Sequence, residues 1–449
     1  MKLALHWKIL IGLGLGVGVG LALNAWGGSL RTWADPAGAG TGFAVSAMDF
    51  LSNLNRVAGE LFKRSLQFIA APIILFALIL AIGSLGDLRA LGRIGAKTFG
   101  IFFCTAFIAV GIGLTLVNVI EPGGPRFISP EAREALKAKM DPEAAARLTT
   151  VAKSTRPWDL VRDIMPTNPF DSLARGDMLQ IVVLALLLGV ALSLMPASVS
   201  KPVLDLVRGL AEAFTMIVRG IMHLAPIGVF CLITPIVATL GFDVLLSLGA
   251  YCATVLLGLA TIQLVVYPSV VRIFSRMPLR TFFRGIAQVQ VVAFSSSSSA
   301  ATLPVTIQNV RDRLGVPGDI TSFVCAMGAK MNMDGTAMMQ SVAVVFLAQF
   351  YQTELSIAQQ LSIVLTAVVA AIGTPGIPSG GMVMLVIVLQ TYGVNPEGIA
   401  MILAVDRILD MCRTIVNVTG DASTAVAVAG SEGRLTPPGQ EPSGAQPPG

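Results

Sequence analysis

Long stretches without a charged residue recur along the chain and set its architecture. A helix that crosses a membrane needs about 20 apolar residues. Six charge-free windows are long enough: Ile9–Leu30, Ser65–Gly86, Thr98–Ile120, Met178–Ser200, Gly220–Phe242 and Val244–Val271. The first could also be a secretory signal peptide, but it is long enough to span. The pattern predicts an all-α protein that crosses a membrane many times.

Two later charge-free segments are interrupted in their middle. Gly285–Val310 holds five consecutive serines, Ser295–Ser299, and Leu355–Pro396 holds GTPGIPSGG at Gly373–Gly381. No single helix continues through that Gly/Pro tract. We therefore predict that each segment forms two half-length arms that meet at a re-entrant tip. Non-helical backbone is tolerated at membrane depth only where protein or a cavity covers it, so such tips indicate a binding site.

The distribution of Lys and Arg predicts the orientation. Basic residues cluster before the first span, between the second and third, after the sixth, and after the serine segment, whereas the loops at 241–243, 351–354 and 391–397 contain none. Cytoplasmic loops carry the excess of Lys and Arg. Both termini are therefore predicted to be cytoplasmic, and the two re-entrant segments enter from opposite sides, which indicates an inverted repeat.

Composition supports a membrane protein and excludes other classes. AVILMFWYC make up 54% of the 449 residues and charged residues 13%, against about 25% charged in soluble proteins. The two histidines and the five widely spaced cysteines, without a C-x-x-C pair, argue against a metal centre or a disulfide framework. A formal charge of +5 without a basic cluster argues against nucleic-acid binding. We expect neither an enzyme nor a covalent cofactor.

The last apolar segment carries the densest set of polar residues. Spacings of 4, 3, 4 and 4 put five of them on one helical face, with Thr414 beside them: Asp406, Asp410, Arg413, Asn417 and Asp421. Ionisable residues at membrane depth are costly and normally face a site or cavity. Asp410 and Arg413 could instead form a pair that only locks two helices together, but such a lock would not need three carboxylates.

Two further motifs predict chemistry. The NMDGT stretch, Asn332–Thr336, contains Gly335 and is predicted to break its helix. Unwound carbonyls together with Asp and Asn oxygens suit a hard cation, although Asp334 could also simply cap a half-helix. The serine run precedes Pro304, which is tolerable in a first helical turn. It is predicted to open a half-helix whose free N–H groups suit a carboxylate.

Together these motifs resemble the dicarboxylate/amino acid:cation symporter family, which includes glutamate and aspartate transporters. The resemblance covers residues 1–430 and is carried by SSSSSAATLPVT (295–306), GAKMNMDGTA (328–337), IGTPGIPSGG (372–381) and DRILDMCRTIVNVTGD (406–421). It implies eight transmembrane helices, two re-entrant helical hairpins, an elevator-type mechanism and a homotrimer.

The resemblance also implies a division of the chain. Residues 1–90 would hold scaffold helices 1 and 2, and 163–240 scaffold helices 4 and 5. The transport domain would consist of helix 3 (91–120) and of 241–430, which carries helix 6, hairpin 1, helix 7, hairpin 2 and helix 8. Residues 121–162 would form an external loop, and the Pro/Gly-rich residues 431–449 are predicted to be a disordered tail.

Single residues inherit roles from the resemblance. Arg413 would pair with the substrate's side-chain carboxylate, and Asp410 would accept its amino group. The other implied substrate-binding residues are Ser298, Ser299, Thr336, Ile377, Gly381, Thr414 and Asn417. Three cation sites are implied. The first uses Gly328, Asn332, Asn417 and Asp421, the second Thr105, Asn332 and Asp334, and the third the carbonyls of Met333, Ala371, Ile372 and Thr374.

Several positions depart from the family pattern. Ser297 stands where archaeal members have an Arg in the first hairpin tip, and Arg407 could compensate for it. Ala106 and Phe102 replace a Ser and a Tyr near the second cation site, and Lys330 replaces a Thr near the third. Lys330 could occupy or repel a cation, exchange a proton, or point away from the site. Lys330 and Arg407 are therefore candidate modifiers of coupling, and the stoichiometry stays open.

The sequence therefore predicts a symporter in the inner cell membrane that imports aspartate or glutamate together with Na⁺ or H⁺. The alternative is a carrier of C4-dicarboxylates without an amino group, which Asp410 disfavours because it would repel a second carboxylate. A remote alternative is an ion channel.

Overall fold

The structure is a computed structural model, and it describes residues 5–34, 43–83, 88–129, 165, 167–175, 178–352, 355–372, 385 and 399–436. Every regular element within these ranges is a helix, which confirms the predicted all-α class. Three of the described helical stretches are long and apolar enough to cross a membrane: Trp7–Trp26, Gly92–Ile120 and Asp243–Ser275.

The described helices are numbered in chain order. They are α1 (Leu5–Ala34), α2 (Phe43–Gly83), α3 (Leu88–Ile120), α4 (Pro169–Arg175), α5 (Met178–Leu194), α6 (Ala197–His223), α7 (Ala225–Leu240), α8 (Asp243–Thr261), α9 (Tyr267–Ser275), α10 (Leu279–Ser296), α11 (Ser299–Leu314), α12 (Gly318–Met331), α13 (Asp334–Phe350), α14 (Ile357–Ile372) and α15 (Ile399–Ser431). The helices from α5 to α13 are separated by one to five residues. A π-helical turn, Ile262–Val266, joins α8 to α9.

The fourth predicted window differs from the structure. It runs without a charge to Ser200, but α5 ends at Leu194 and α6 begins at Ala197. Pro196 lies in the break, and its carbonyl accepts the N–H groups of the first turn of α6. Charge-free windows do not detect α6, because it is amphipathic and carries exposed charged residues such as Asp205 and Arg208.

Helix α1 lies close against α7 because glycines recur every four residues along its contact face. A Cβ atom added at Gly20 would lie 2.7 Å from Val237 Cβ, and one added at Gly16 would overlap the Ile233 side chain. This spacing of small residues is typical of helix pairs in membranes, where close approach of the backbones provides the attraction.

Helix α15 forms the centre of the second half of the chain. It packs against α8, α9, α10, α11, α12 and α13. Small buried side chains such as Ala422, Ala425 and Ala429, each fully buried, let these neighbours approach. The polar face of α15 is therefore enclosed by helices rather than exposed.

The structure describes a segment after α15 that ends at Thr436, within the residues predicted to form the tail from 431. Glu432 pairs with Arg93 and, at 2.5 Å, with Lys97 at the beginning of α3. Arg434 pairs with Asp319 at 2.9 Å, and the Thr436 N–H donates to the Gly315 carbonyl at 3.0 Å. These contacts hold the segment to three elements, whereas the Pro/Gly-rich residues after it lie outside the described part of the chain.

Glu432→Gln is expected to lower the midpoint of thermal unfolding at neutral pH. Lys97 and Arg93 lower the pKa of Glu432 in the folded protein. Its stabilising contribution is therefore fully present above the ordinary pKa of a glutamate, and it disappears as the pH falls through the lowered folded-state pKa. The effect should be modest, because Arg93 is exposed and salt screens the pair.

The difference between the two proteins should shrink on acidification and in high salt. Asp205→Asn, which removes a carboxylate from an exposed pair with Arg208, is the matched control. A Glu432→Gln protein that unfolds at the wild-type temperature at neutral pH and low salt would contradict the assignment.

Candidate substrate and cation site

The five polar residues of α15 are all buried. Asp406, Asp410, Arg413, Asn417 and Asp421 are each at most 3% exposed. Burying this many ionisable and amide groups is costly unless they find partners. Their partners on α15 itself and on the neighbouring helices therefore define the site.

Arg413 lies between two carboxylates of its own helix. Its Nη2 donates to Asp410 Oδ1 at 2.5 Å, and its Nη1 lies 3.8 Å from Asp406 Oδ1. The side chain passes over Gly335, where an added Cβ would lie 3.0 Å from Arg413 Cγ. Gly335 thus provides room for a buried guanidinium, whose planar fork can bind a carboxylate through two charge-assisted hydrogen bonds.

Arg407 extends this arrangement by one charge. Its Nη1 lies 3.7 Å from Asp410 Oδ2, and its side chain is only 15% exposed. The Arg407 Nε is buried and has no hydrogen-bond partner in the described part of the chain. Charges therefore alternate in the order Arg407, Asp410, Arg413 and Asp406, and they sum to zero. A ligand that carries both an ammonium and carboxylates could exchange with these internal pairs.

Asn417 connects α15 to the first turn of α13. Its Oδ1 accepts the Gly335 N–H at 3.0 Å, and its Nδ2 lies 3.3 Å from Thr336 Oγ1. The first N–H groups of a helix have no partner within the helix, so this amide satisfies one of them. One turn earlier, the Thr414 hydroxyl donates to the Asp410 carbonyl at 2.7 Å.

The serine run joins α10 to α11, two helices that pack against each other. Ser297 adopts the left-handed conformation with φ of 49°, and Ser298 caps α11 by accepting the Ala301 N–H at 3.2 Å. Ser298 and Ser299 are 8% and 4% exposed. Pro304 does not lie in the first turn, as the sequence suggested, but inside α11, because the helix already begins at Ser299.

The NMDGT stretch breaks its helix at Asn332 and Met333, so that α12 ends at Met331 and α13 begins at Asp334. The predicted break is present, but Gly335 lies inside α13. Asn332 and Met333 are the residues with non-helical backbone angles. This break turns the Asn332 side chain towards α15, where its Nδ2 donates to Asp421 Oδ1 at 2.9 Å.

Asp334 and Asp421 are buried carboxylates, 0% and 1% exposed. Neither forms an ion pair with a basic side chain in the part of the chain that the structure describes. Asn332 Oδ1 and Asp334 Oδ1 are buried and accept no hydrogen bond from described residues. Oxygen atoms without donors, next to uncompensated negative charge, are what a hard cation such as Na⁺ requires.

Other predicted cation-binding residues surround this cluster. The Gly328 carbonyl accepts the Asn332 N–H at 2.8 Å, and a Cβ added at Gly328 would overlap Asp421 Oδ1.

The Thr105 hydroxyl donates to the Phe102 carbonyl at 3.1 Å and faces Asp334. Phe102 and Ala106 line an apolar cavity together with Met333 and Ala371.

The remaining predicted residues are only partly described. Ala371 and Ile372 end α14, whereas Thr374, Ile377 and Gly381 lie outside the described residues.

The Lys330 side chain is exposed although its neighbours Met331 and Asn332 are buried. Of the three alternatives for Lys330, exposure favours the one in which the side chain points away from the cation site.

Sequence reasoning missed one residue of the cation cluster. The Tyr267 hydroxyl donates to Asp334 Oδ2 at 3.0 Å, and the residue is fully buried. Its only signal in the sequence is a hydroxyl-bearing aromatic residue within an otherwise apolar span. That signal does not reveal its partner, which lies 67 residues away.

Apolar helices that enclose buried, alternating charges are typical of membrane transport proteins. The family model described as "Sodium:dicarboxylate symporter family" matches residues 5–431. The chain therefore belongs to this family of membrane transporters, as the sequence motifs suggested.

Curated relatives cover most of the chain. A "Proton/glutamate-aspartate symporter" of Escherichia coli (strain K12) is 34% identical over 84% of this chain and 85% of its own length. A "Proton/sodium-glutamate symport protein" of Bacillus subtilis (strain 168) is 34% identical over 84% and 86%. The human "Excitatory amino acid transporter 3" is 33% identical over 85% of this chain and 81% of its own length.

Proposed function

We propose that this protein is a secondary active symporter that imports acidic amino acids, aspartate and glutamate, together with cations. The observation that carries the proposal is the buried alternation of charges around Arg413, which lies 2.5 Å from Asp410. An acidic amino acid has carboxylates for the arginines and an ammonium for the aspartate. The names of the relatives support the same substrate class.

Substrate binding would exchange internal ion pairs for pairs with the ligand. The side-chain carboxylate of the substrate would replace Asp410 at Arg413, and the substrate ammonium would then take Asp410. Asn417, Ser299 and the backbone near Gly381 would surround the α-carboxylate. The further substrate-contacting residues would be Thr336, Thr414, Ser298 and Ile377. Arg407 would compensate for the absence of an arginine at Ser297.

Cation binding would use the oxygen cluster next to the substrate site. Asp421, Asn332, Asn417 and Gly328 would form one site, and Asp334, Asn332 and Thr105 a second. The carbonyls of Met333, Ala371, Ile372 and Thr374 would form a third. We propose Na⁺ as the coupling ion. Protons are the alternative, because the relatives' names include both ions.

The architecture implied by the sequence motifs completes the proposal. Eight transmembrane helices and two re-entrant hairpins would assemble into a homotrimer in the inner membrane, with both termini cytoplasmic. Residues 1–90 and 163–240 would form the scaffold, and 91–120 and 241–430 a transport domain that moves like an elevator. Helix α15 packs mainly against helices within 241–430, which supports one transport domain, and it also contacts α7 and α1 of the proposed scaffold.

Uptake of labelled aspartate into proteoliposomes tests the function. An inward sodium gradient, an inward proton gradient and no gradient would be compared at equal ionic strength. We expect concentrative uptake that requires the sodium gradient. Uptake driven only by the proton gradient would assign the coupling to protons, and uptake of neither aspartate nor glutamate under any gradient would contradict the substrate class.

Asp410→Ser is expected to narrow the preference for aspartate over succinate. The two ligands differ by the ammonium, which only Asp410 would bind, and a hydrogen-bonded charge pair is worth about 2 kcal/mol or more. Competition of both ligands against labelled aspartate measures the preference, with Asp205→Ser as a control at an exposed position. If the wild-type protein transports succinate as well as aspartate, the dicarboxylate alternative is favoured instead.

A further inference from the structure

Tyr267 stands at a point where the helix geometry changes. It is the first residue of α9, directly after the π-helical turn Ile262–Val266 that ends the run from α8. A π-helical turn adds one residue to the helix and thereby redirects the side chains that follow, frequently at functional sites. Here the redirected side chain is a fully buried tyrosine whose hydroxyl donates to Asp334 Oδ2 at 3.0 Å.

The tyrosine hydroxyl is held against the cation cluster from a second side. Gly420 of α15 lies directly beneath it, and a Cβ added there would lie 2.6 Å from Tyr267 Oη and would overlap Asn332 Nδ2. The phenol, the Asn332 amide and α15 therefore meet at one point. Asn332 in turn donates to Asp421, so Tyr267 belongs to the same polar cluster as both carboxylates.

The contact leaves the carboxylate of Asp334 with two different oxygen atoms. Oδ2 accepts the Tyr267 hydroxyl, whereas Oδ1 is buried and accepts no hydrogen bond from described residues. Asn332 Oδ1 is likewise buried and accepts no hydrogen bond from described residues. A donor that fixes Oδ2 restricts the rotation of the carboxylate and keeps Oδ1 directed away from the tyrosine. A phenol also retains lone pairs of its own.

Asp334 also faces α3. Thr105 is near it and its hydroxyl is already engaged with the Phe102 carbonyl at 3.1 Å. Phe102 has no hydroxyl, and Ala106 contributes only a methyl group to the apolar cavity beside Met333. The Thr105 hydroxyl thus faces Asp334 from α3, and the Tyr267 hydroxyl donates to Asp334 Oδ2 from the α9 side.

We propose that Tyr267 is a positioning residue of the Asp334 cation site. Its O–H fixes one carboxylate oxygen of Asp334, so that the other oxygen and Asn332 Oδ1 are directed at the coupling Na⁺. This inference rests on the proposed sodium coupling and adds to it a residue from α9. A tyrosine that merely buries its hydroxyl on a convenient acceptor is the competing explanation.

Sodium binding to the purified protein in detergent distinguishes the two explanations. The midpoint of thermal unfolding would be measured against NaCl concentration, with choline chloride keeping the ionic strength constant. A ligand that binds the folded state raises this midpoint. For Tyr267→Phe we expect the half-saturating sodium concentration to rise about tenfold, as for the loss of a hydrogen bond to a charged group.

Two further variants serve as controls for this measurement. Tyr251→Phe removes another fully buried phenol hydroxyl, one without a hydrogen-bond partner in the described residues, and its sodium half-saturation should equal that of the wild type. In an Asp334→Asn background, Tyr267→Phe should cause no additional change, because the two residues act through one contact.

The outcomes separate this inference from the proposed function. If the wild type responds to sodium and Tyr267→Phe responds at the same concentration, Tyr267 has only a structural role and the inference is wrong while sodium coupling stands. If the wild type does not respond to sodium, both are wrong. Should Tyr267→Phe fail to fold, 4-fluorophenylalanine incorporated at position 267 keeps nearly the same shape and removes the O–H donor. An unchanged sodium half-saturation in that protein would equally overturn the inference.

Discussion

Replacing Arg413 by cysteine is expected to abolish uptake of aspartate and glutamate while the site accepts small neutral amino acids. Arg413 is 2% exposed and lies 2.5 Å from Asp410 and 3.8 Å from Asp406. Without it, the two buried carboxylates face any incoming acidic side chain. Losing one partner of a buried charge pair costs about 2–5 kcal/mol, which is at least about thirtyfold in affinity.

The measurement is uptake of labelled aspartate, glutamate, serine and alanine into proteoliposomes under one fixed gradient. The substitution leaves Asp410 in place to bind the ammonium that neutral and acidic amino acids share. Arg208→Cys serves as the control, because Arg208 is exposed and pairs with the exposed Asp205 one turn away. An Arg413→Cys protein with wild-type aspartate affinity would show that the substrate carboxylate binds elsewhere.

The sequence predicted those parts of the site that depend on regular spacing within one helix. The polar face of α15 follows from the helical period alone, so Asp410 and Arg413 could be paired before the structure was known. The break near Asn332 was likewise predictable, because a polar stretch with a glycine interrupts an apolar helix. Its position was two residues off, since Gly335 is needed for contact with Arg413 rather than for the turn.

Contacts between distant segments could not be predicted in this way. Tyr267 meets Asp334 only because a π-helical turn redirects it, and such turns leave no periodic signal. Gly420 matters because a Cβ atom at this position would collide with Tyr267 Oη and Asn332 Nδ2. Glu432 and Arg434 form ion pairs with residues far away in the sequence. Composition alone assigns both residues to the predicted tail.

The proposed substrate site and the proposed cation site share Asn417, which suggests how the two binding events are linked. The Asn417 side chain accepts the Gly335 N–H at 3.0 Å next to Thr336, whereas its backbone carbonyl accepts Asn332 Nδ2 at 3.3 Å. A cation that draws the Asn332 side chain towards itself would therefore change a contact of Asn417. Coupling between the sites would then be carried by direct contacts rather than by a long path.

Asp421→Asn is expected to remove most of the sodium dependence of transport. Asp421 is 1% exposed, accepts a hydrogen bond from Asn332 at 2.9 Å and has no basic partner in the described residues. In the proposed site, the bound cation compensates this charge. An asparagine keeps the shape but not the charge, so the half-saturating sodium concentration should rise by more than about tenfold.

The same substitution should stabilise the folded protein when sodium is absent. In sodium-free buffer the buried Asp421 carboxylate must either stay unpaired or take up a proton, and both carry a free-energy cost that asparagine avoids, so the Asp421→Asn protein should unfold at a higher temperature than the wild type. Adding sodium should then stabilise the wild type far more than the variant. Asp319→Asn, which removes an exposed carboxylate paired with Arg434, controls for loss of a negative charge in general. A variant that is less stable than the wild type without sodium, and equally responsive to it, would mean that Asp421 is compensated by protein groups and not by the coupling ion.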